Sequence, residues 1–574
     1  MKAADFSPKF RGFFTFERVF LLILLAAFIV RFLFLDLRLF HHDEAIHAWF
    51  SYRLLTEGTY TYDPVYHGPL LYYVTAGMFA LFGDSDFIGR IVPAFLGTAS
   101  VALVYPIWRL GYLGRNGALI AALFLALSPN MVYFSRFLRN DIFIVFFTML
   151  LLVAVLYYLE GRQRRYILLA AVAAGLGMCC KENMPIVIGT FGFWLVVLLL
   201  RKKIVLQPGW WKDALLWAGG TACIMAVFYS SFGTQPEVVM TGWLDAISHW
   251  TSVHGQQRLG GPPYFYILLF LLYEVPILFF AMVGIGQYAT SWNDRRRASS
   301  GQGQDIPASS PAGDGAPRPP SSPDDFGVVC ARALAQLKGE AVPPREVAGR
   351  RSEGDRAGTA LPCTSGRRQY EFAAFAIFWL AVSLLAYGYI GEKVPWLILH
   401  QLLPMIFVAA YMMPSKRAVL AVAASIFLVV MMVHVAFTPA DINEPIVQVQ
   451  NSEDLRMVMA WIDASDKKTA ITGSHYWPMP WYYRGEGSKK ISYLGSVTDP
   501  DYFAGGEYGV VISDYPAGFD AVPGYEHVLL NHSYWYSIYE NRDRLAEYYF
   551  RRDGTIGSVK WNVFVLPETA SASG

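Results

Sequence analysis

Residues 19–47 read VFLLILLAAFIVRFLFLDLRLFHHDEAIH. A long apolar run ends in a cluster of ionisable residues, His41, His42, Asp43 and Glu44, with His47 one helical turn on. The run Phe14–Leu35 is too long for the apolar part of a cleavable signal peptide and lacks a small-residue cleavage site, so it reads as a first membrane span and signal anchor. Two adjacent carboxylates and three imidazoles at a bilayer surface are poor packing material. Carboxylates there can take a proton or hold a divalent cation such as Mg, Mn or Zn. Adjacent positions on a helix diverge, so Asp43 and Glu44 are expected to divide these roles, one as base and one as metal ligand or orienting group.

The rest of the chain has the same character. Its 574 residues are 54% hydrophobic and 16% charged, where a soluble protein carries roughly 25% charged residues. Mean hydropathy is +0.33. Eleven spans are expected, at about 15–36, 87–109, 117–135, 141–159, 166–180, 184–200, 213–232, 264–288, 371–390, 394–412 and 418–437. The fold class is therefore a polytopic α-helical membrane protein. The segment Gly68–Gly83, opened by Pro69, is apolar but short, and is expected as an interfacial or re-entrant helix inside the first external loop.

Basic residues set the orientation. Lys2, Lys9, Arg11 and Arg18 hold the N-terminus inside, and Arg162/Arg164/Arg165, Arg201/Lys202/Lys203, Arg295/Arg296/Arg297 and Lys416/Arg417 then fall on the same side. HHDEAIH, Tyr66-His67-Gly68-Pro69, SRFLRND (Ser135–Asp141), CKEN (Cys180–Asn183) and GEKVPW (Gly391–Trp396) all fall on the other. Ionisable groups converging on one membrane face point to a single external site. The location expected is a cytoplasmic (inner) membrane, with the site and the C-terminal region extracytoplasmic.

Within that site each residue type has a chemical use. Arg136 and Arg139 suit phosphate through paired hydrogen bonds, and Asp141 is either functional or their counter-ion. Lys181 and Glu182 end a span as an ion pair or as part of the site. Glu392, Lys393, Trp396 and His400 place a cation and an intramembrane imidazole where a lipid phosphate would lie. His249 and His254 lie in a loop without a ligand set. No Walker A, GxGxxG or paired CxxC motif is present, which argues against an ATP-driven pump or a Rossmann nucleotide-sugar enzyme. The five cysteines, Cys179, Cys180, Cys223, Cys330 and Cys363, imply neither a disulfide framework nor a cysteine metal site.

The organisation expected is a transmembrane core at 1–292 with its first external loop at 37–86, a disordered cytoplasmic linker at 293–369 rich in Ser, Pro and Gly, further spans at 370–437, and a small α/β domain at 438–574. In the last, Ser452–Ala464 reads as a helix capped by Ser452 with Asp454, and Thr469–Ile471, Gly509–Ile512, His527–Leu530 and Trp561–Leu566 as strands. The aromatic stretch YWPMPWYY (Tyr476–Tyr483) is either that domain's core and membrane contact or a platform for sugar rings.

These motifs resemble the GT-C superfamily of membrane glycosyltransferases. HHDEAIH…DPVYHGPLLYY, LFGDSDFIGRIVPAFLG and SRFLRNDIF are similar to the dolichyl-phosphate-mannose protein mannosyltransferase (family 39) and aminoarabinose transferase branch. EKVPWLILHQLLP and WPMPWYYR resemble the bacterial and archaeal flippase-activity-associated family. The resemblance implies a polyprenyl-phosphate-linked sugar donor, inversion at the sugar carbon, and a glycan, glycolipid or protein acceptor, among membrane lipids and without nucleic acid. It makes Asp43 the base or metal-binding carboxylate, with Glu44 beside it, and gives the lipid phosphate to Arg136, Arg139 and Lys393. His42, His47, Tyr66, His67, Asp141, Lys181, Glu182, Glu392, Trp396 and His400 would line the substrate site. No MIR domain is recognisable, which weakens the case for a protein acceptor. A lipid-linked-saccharide flippase accessory using the same cluster without catalysis, and a membrane scaffold, remain the competing classes.

Overall fold

The computed structural model describes residues 15–58, 60–256, 261–299, 365–439, 442–536 and 540–572. Most of the expected linker, its short helix near 328–338, Cys330 and Cys363 lie outside them, as do Lys2, Lys9, Arg11 and the side chain of His254.

The helical part runs α1 (Phe16–Phe32), α2 (His42–Glu57), α3 (Leu70–Phe82), α4 (Asp86–Ala102), α5 (Val104–Arg109), α6 (Arg115–Leu127), α7 (Pro129–Ser135), α8 (Asn140–Gly161), α9 (Arg164–Met178), α10 (Met184–Leu200), α11 (Trp210–Tyr229) and α12 (Val238–Gln256). It continues through α13 (Phe265–Tyr273), α14 (Val275–Ser299), α15 (Ser365–Tyr389), α16 (Leu399–Ala409) and α17 (Ser415–Ala436). All eleven expected spans are helical. Five of the described helices are long and apolar enough to cross a membrane, six when the pair α6–α7, bent by 54°, is taken as one. The others fall short for visible reasons. α1 has 17 residues, α9 has 15, and α16 has 11 behind a single 3-10 turn at Pro395–Ile398; at about 1.5 Å per residue, 17 residues reach only ~25 Å. By length and composition, five or six of the described helices qualify as spans, against the eleven expected.

The breaks are pinned to each other. Ser128 caps α7, and the carboxylate of Glu274, between α13 and α14, accepts from Ser128 Oγ (2.7 Å), Asn130 N (3.1 Å) and Asn130 Nδ2 (2.9 Å). A buried carboxylate holding three donors satisfies backbone and side-chain groups that broken helices would otherwise leave bare.

The C-terminal domain is a six-stranded sheet ordered β1-β5-β6-β4-β2-β3. Its strands are β1 (Gln450–Asn451), β2 (Lys468–Thr472), β3 (Ile491–Gly495), β4 (Tyr508–Tyr515), β5 (Glu526–Tyr536) and β6 (Ile556–Val565). β2 runs parallel to β3 and β4, and the remaining pairs are antiparallel. Alternation sorts the faces: Val510 and Ile512 pack with Leu455, Val458 and Ile462 of α18 (Asp454–Ala464), while Val511 packs with Phe503 and Phe519 on the other side. Ser452 Oγ accepts from Asp454 N at 3.2 Å, but the residue at the N-cap is Glu453, one position on from the cap expected. β3 and the two-residue β1 were not legible in the sequence.

The aromatic stretch seats this domain on the helical part. Met479, Trp481 and Tyr483 are buried, and the ring of Trp481 stacks on Phe79 with centroids 5.5 Å apart. Trp481 Nε1 and Tyr482 Oη donate to the two oxygens of Asp86 at 2.7 and 2.6 Å. Arg484 pairs with Asp84, and Asn451 Nδ2 donates to Phe40 O at 2.6 Å. Core and contact, rather than an open sugar platform, is the role of Met479–Tyr483.

Candidate active site

α2 begins in a capping box built on histidine. His41 Nδ1 accepts from Asp43 N at 3.0 Å, and Glu44 Oε2 accepts from His41 N at 3.0 Å. His41 is itself fixed to Gln448 O of the C-terminal domain. This start fixes the directions of the two acidic residues. Glu44 is fully buried and forms a two-point ion pair with Arg90 of α4; its Oε1 also accepts from Leu138 N at 2.7 Å. Asp43 turns the other way. It pairs with Arg139 and with His42 Nδ1 at 3.1 Å, and about a third of its side chain is exposed (32%). Asp43 and Glu44 therefore do not face one point, and a divalent ion at Asp43 would draw its other ligands from elsewhere.

Arg139 continues the network inward. Its guanidinium lies over the Trp396 ring, 3.7 Å from the centroid, and its Nε is 3.6 Å from Asp141. Asp141, in the first turn of α8, holds Lys181 Nζ at 2.8 Å and His400 Nε2 at 3.5 Å. Asn183 Nδ2 lies 2.7 Å from His400 Nε2 and 3.3 Å from Tyr387 Oη. Asp43, Arg139, Asp141, Lys181 and His400 thus form one chain of contacts from the exposed surface into the helical part, with Trp396 as its floor. Glu392 is partly exposed, and its charge acts on Arg139.

A second group flanks this chain. Gly68 N donates to Cys180 O and Leu70 N to Cys179 O, at 3.0 and 2.9 Å. A Cβ at Gly68 would lie 2.2 Å from Cys179 O, so only glycine allows this approach. The contact brings His67 to Glu182 at 2.9 Å, and Trp250 of α12 stacks on His67 with centroids 5.2 Å apart. Burial pushes the Glu182 carboxyl up, but the charge and hydrogen bond of His67 outweigh it and hold it below the usual range. His47 is buried against Tyr72, with Nδ1 2.8 Å from Tyr72 Oη. The hydroxyl proton of Tyr72 goes to Tyr66 O at 2.8 Å, so His47 Nδ1 is the donor. Burial, then the charges of His67 and Lys181, lower His47 to about 3. Tyr66 contributes its carbonyl here and packs its ring on Phe50.

Arg136 and Lys393 lie apart from the cluster and close helix ends. Arg136 donates to Val30 O, Arg31 O, Leu33 O and Phe34 O at the end of α1. Lys393 Nζ donates to Tyr387 O and Gly388 O, at 3.1 and 3.0 Å, and to Ile390 O at the end of α15. Arg90 was missed in the sequence, where nothing local marks it, and Asn183 was read only as part of CKEN; each is defined by a partner far along the chain. Among the described residues, no group of three or more His, Cys, Asp or Glu is gathered to hold a metal ion.

Residues 66–231 match the family profile of dolichyl-phosphate-mannose-protein mannosyltransferases. No curated protein sequence matches the chain. The structure is similar to ArnT from Cupriavidus metallidurans bound to undecaprenyl phosphate, at 13% identity and a TM-score of 0.50 over 89% of this chain and 94% of that one. It is also similar to the apo oligosaccharyltransferase of Archaeoglobus fulgidus (12% identity, TM-score 0.47, 88% and 70% of the chains). A further similarity is to the S. cerevisiae protein O-mannosyltransferase complex bound to the sugar donor (18%, 0.33), where the match spans 40% of this chain and 34% of that one. Over 89% of its length, this chain shares the fold of the ArnT structure.

Proposed function

We propose that this protein is a membrane glycosyltransferase that moves a sugar from a polyprenyl-phosphate donor to an acceptor hydroxyl on the extracytoplasmic face. The observation that carries the reading is the position of Asp43. It is the partly exposed carboxylate of a chain of charges that otherwise runs into the buried helical part. Asp43 takes the proton of the acceptor hydroxyl as that oxygen attacks the sugar's anomeric carbon. The bond from that carbon to the phosphate oxygen breaks on the opposite face, and its electron pair leaves with the phosphate. One base suffices for this single displacement, and the configuration inverts. Arg139 and Lys181 face the developing phosphate charge, held in place by Asp141 and Trp396.

The test is sugar transfer in proteoliposomes from a labelled polyprenyl-phosphate hexose to an extracted glycolipid pool, with wild type beside Asp43→Asn. The expected result is transfer by wild type and a drop of roughly 10²–10⁴ in the variant, with donor binding retained. Transfer at the wild-type rate by Asp43→Asn removes Asp43 as the base. No transfer by either protein across several donors, with donor still bound, favours a carrier of the same headgroup.

A further inference from the structure

Behind the first turn of α2, on the side away from Asp43, Glu44 forms part of the wall of a small, open recess. Arg38, Arg90 and Arg136 line it, with Tyr133 and Gln450. Three guanidiniums therefore meet one carboxylate. Glu44 is matched to Arg90. Arg38 and Arg136 are each buried to 8% exposure, and neither has a carboxylate within ion-pair distance among the described residues. Asp36, exposed to solvent, is the acidic neighbour whose charge reaches Arg136.

The acceptors these two arginines do have are main-chain carbonyls. Arg136 closes the end of α1, and Arg38 donates to Val435 O at 2.7 Å and Thr438 O at 2.9 Å, closing the end of α17. A helix C-terminus offers about half a negative charge. Two cations against two such ends leave about one positive charge in a wall of low polarisability. Such a charge is stabilised by an anion, and paired guanidiniums fit phosphate oxygens by shape.

The mouth identifies the anion. Leu35 and Leu37 beyond α1 and Ala436 at the end of α17 line the recess, and the outer faces of both helices are bare and apolar: Leu25, Phe28 and Ile29 on one, Val422, Ile426 and Val430 on the other. Leu33, Phe34 and Leu37, also exposed, flank it. An anion reaching this recess comes from the lipid side, with acyl chains to lay along those residues.

We propose that the recess of Arg38, Arg90 and Arg136 binds the phosphate of an anionic phospholipid headgroup from the surrounding leaflet, at a site separate from the Asp43 cluster. The bound lipid completes the charge balance of the two capped helix ends.

The test uses the full chain, freed of lipid and offered equal amounts of phosphatidylglycerol and phosphatidylcholine, with retained lipid read by native mass spectrometry. Wild type is expected to retain phosphatidylglycerol about tenfold over phosphatidylcholine, the effect of roughly one charge pair. Leu37→Glu, which sets a carboxylate at the mouth without touching either cap, and Arg38→Gln are both expected to abolish the preference. Arg38→Lys, which keeps the charge, is expected to retain most of it. Equal retention of the two lipids by wild type overturns the proposal, and so does full preference in Leu37→Glu with an unchanged Tm. Inorganic phosphate that displaces phosphatidylglycerol at millimolar concentration would assign the recess to the free ion and overturn the lipid. Sugar transfer is not part of the readout, so this result and that of Asp43→Asn stand apart.

Discussion

Glu44 and Arg90 meet in a buried two-point ion pair, with Arg90 Nη2 2.6 Å from Glu44 Oε2 and Arg90 Nε 2.8 Å from Glu44 Oε1. The remaining donors of Arg90 reach Leu35 O, Arg38 O and Leu39 O, at 3.1, 2.9 and 3.2 Å. One guanidinium thus holds the whole turn that leads into α2. Arg90→Ala strands a buried carboxylate and three carbonyls, and is expected to cost about 3–5 kcal/mol. Asp43→Asn is expected to change stability far less, because Asp43 reaches solvent. Thermal unfolding in detergent compares the two, and an equal drop in Tm would show that Asp43 has a structural role.

The pH dependence of stability should carry the mark of His47. Its folded value is depressed to about 3 from 6.5, so the unfolded chain binds the proton more readily. The stabilisation is complete above pH 6.5 and is lost as pH falls towards 3, at about 1.4 kcal/mol per unit. His47→Gln should flatten the stability profile across that window. Parallel profiles for wild type and variant would mean that His47 titrates normally in the fold.

Glu444 joins the C-terminal domain to α13. It accepts from Tyr273 Oη at 2.6 Å and Arg552 Nε at 3.0 Å, and meets His434 Nε2 at 2.8 Å. Burial raises its carboxyl, but His434, Arg552 and Tyr273 together hold it below 4.5. Its contribution is present above pH 4.5 and is lost as pH falls through the lower folded value. Glu444→Gln, at roughly 2 kcal/mol for the charged hydrogen bonds, should raise hydrogen exchange in α13 and in residues 545–551 at neutral pH. Unchanged exchange there would place the seam elsewhere.

Arg139 depends on Trp396 for its orientation. Arg139→Lys keeps the charge but loses the flat stacking, and Trp396→Ala loses the surface under it. A cation–π contact of this kind is worth about 1–2 kcal/mol, so each should lower kcat for sugar transfer by roughly tenfold. An effect on donor KM alone would assign the pair to binding.

The charged cluster was legible in the sequence because ionisable residues beside long apolar runs stand out against their surroundings. The division of labour within it was not. Asp43 and Glu44 are neighbours with opposite environments, and the partner that decides the matter, Arg90, lies 46 residues away. The main-chain carbonyls that Arg136 and Lys393 meet have no side-chain signature, so those contacts could not be read from the sequence. The strands β2, β4, β5 and β6 announced themselves by β-branched and aromatic runs, whereas in β3 (ISYLG) only Ile491 is buried and no apolar run marks it. The hydrophobic runs located the helices, but a helix supported by its neighbours can be shorter than a bilayer is thick, so length and composition alone select only five or six of them as spans.

The hydrogen bonds that seat residues 481–484 on Asp84, Asp86 and Phe40 join parts of the chain about 400 positions apart. During synthesis, the loop that carries Asp43 leaves the ribosome long before the segment that braces it. The nascent protein therefore stands in the membrane with an unbraced, unfinished centre until the last quarter of the chain arrives. If Asp43 acts as proposed, a chain stalled or cut before residue 481 carries that residue without its brace and is expected to be inactive.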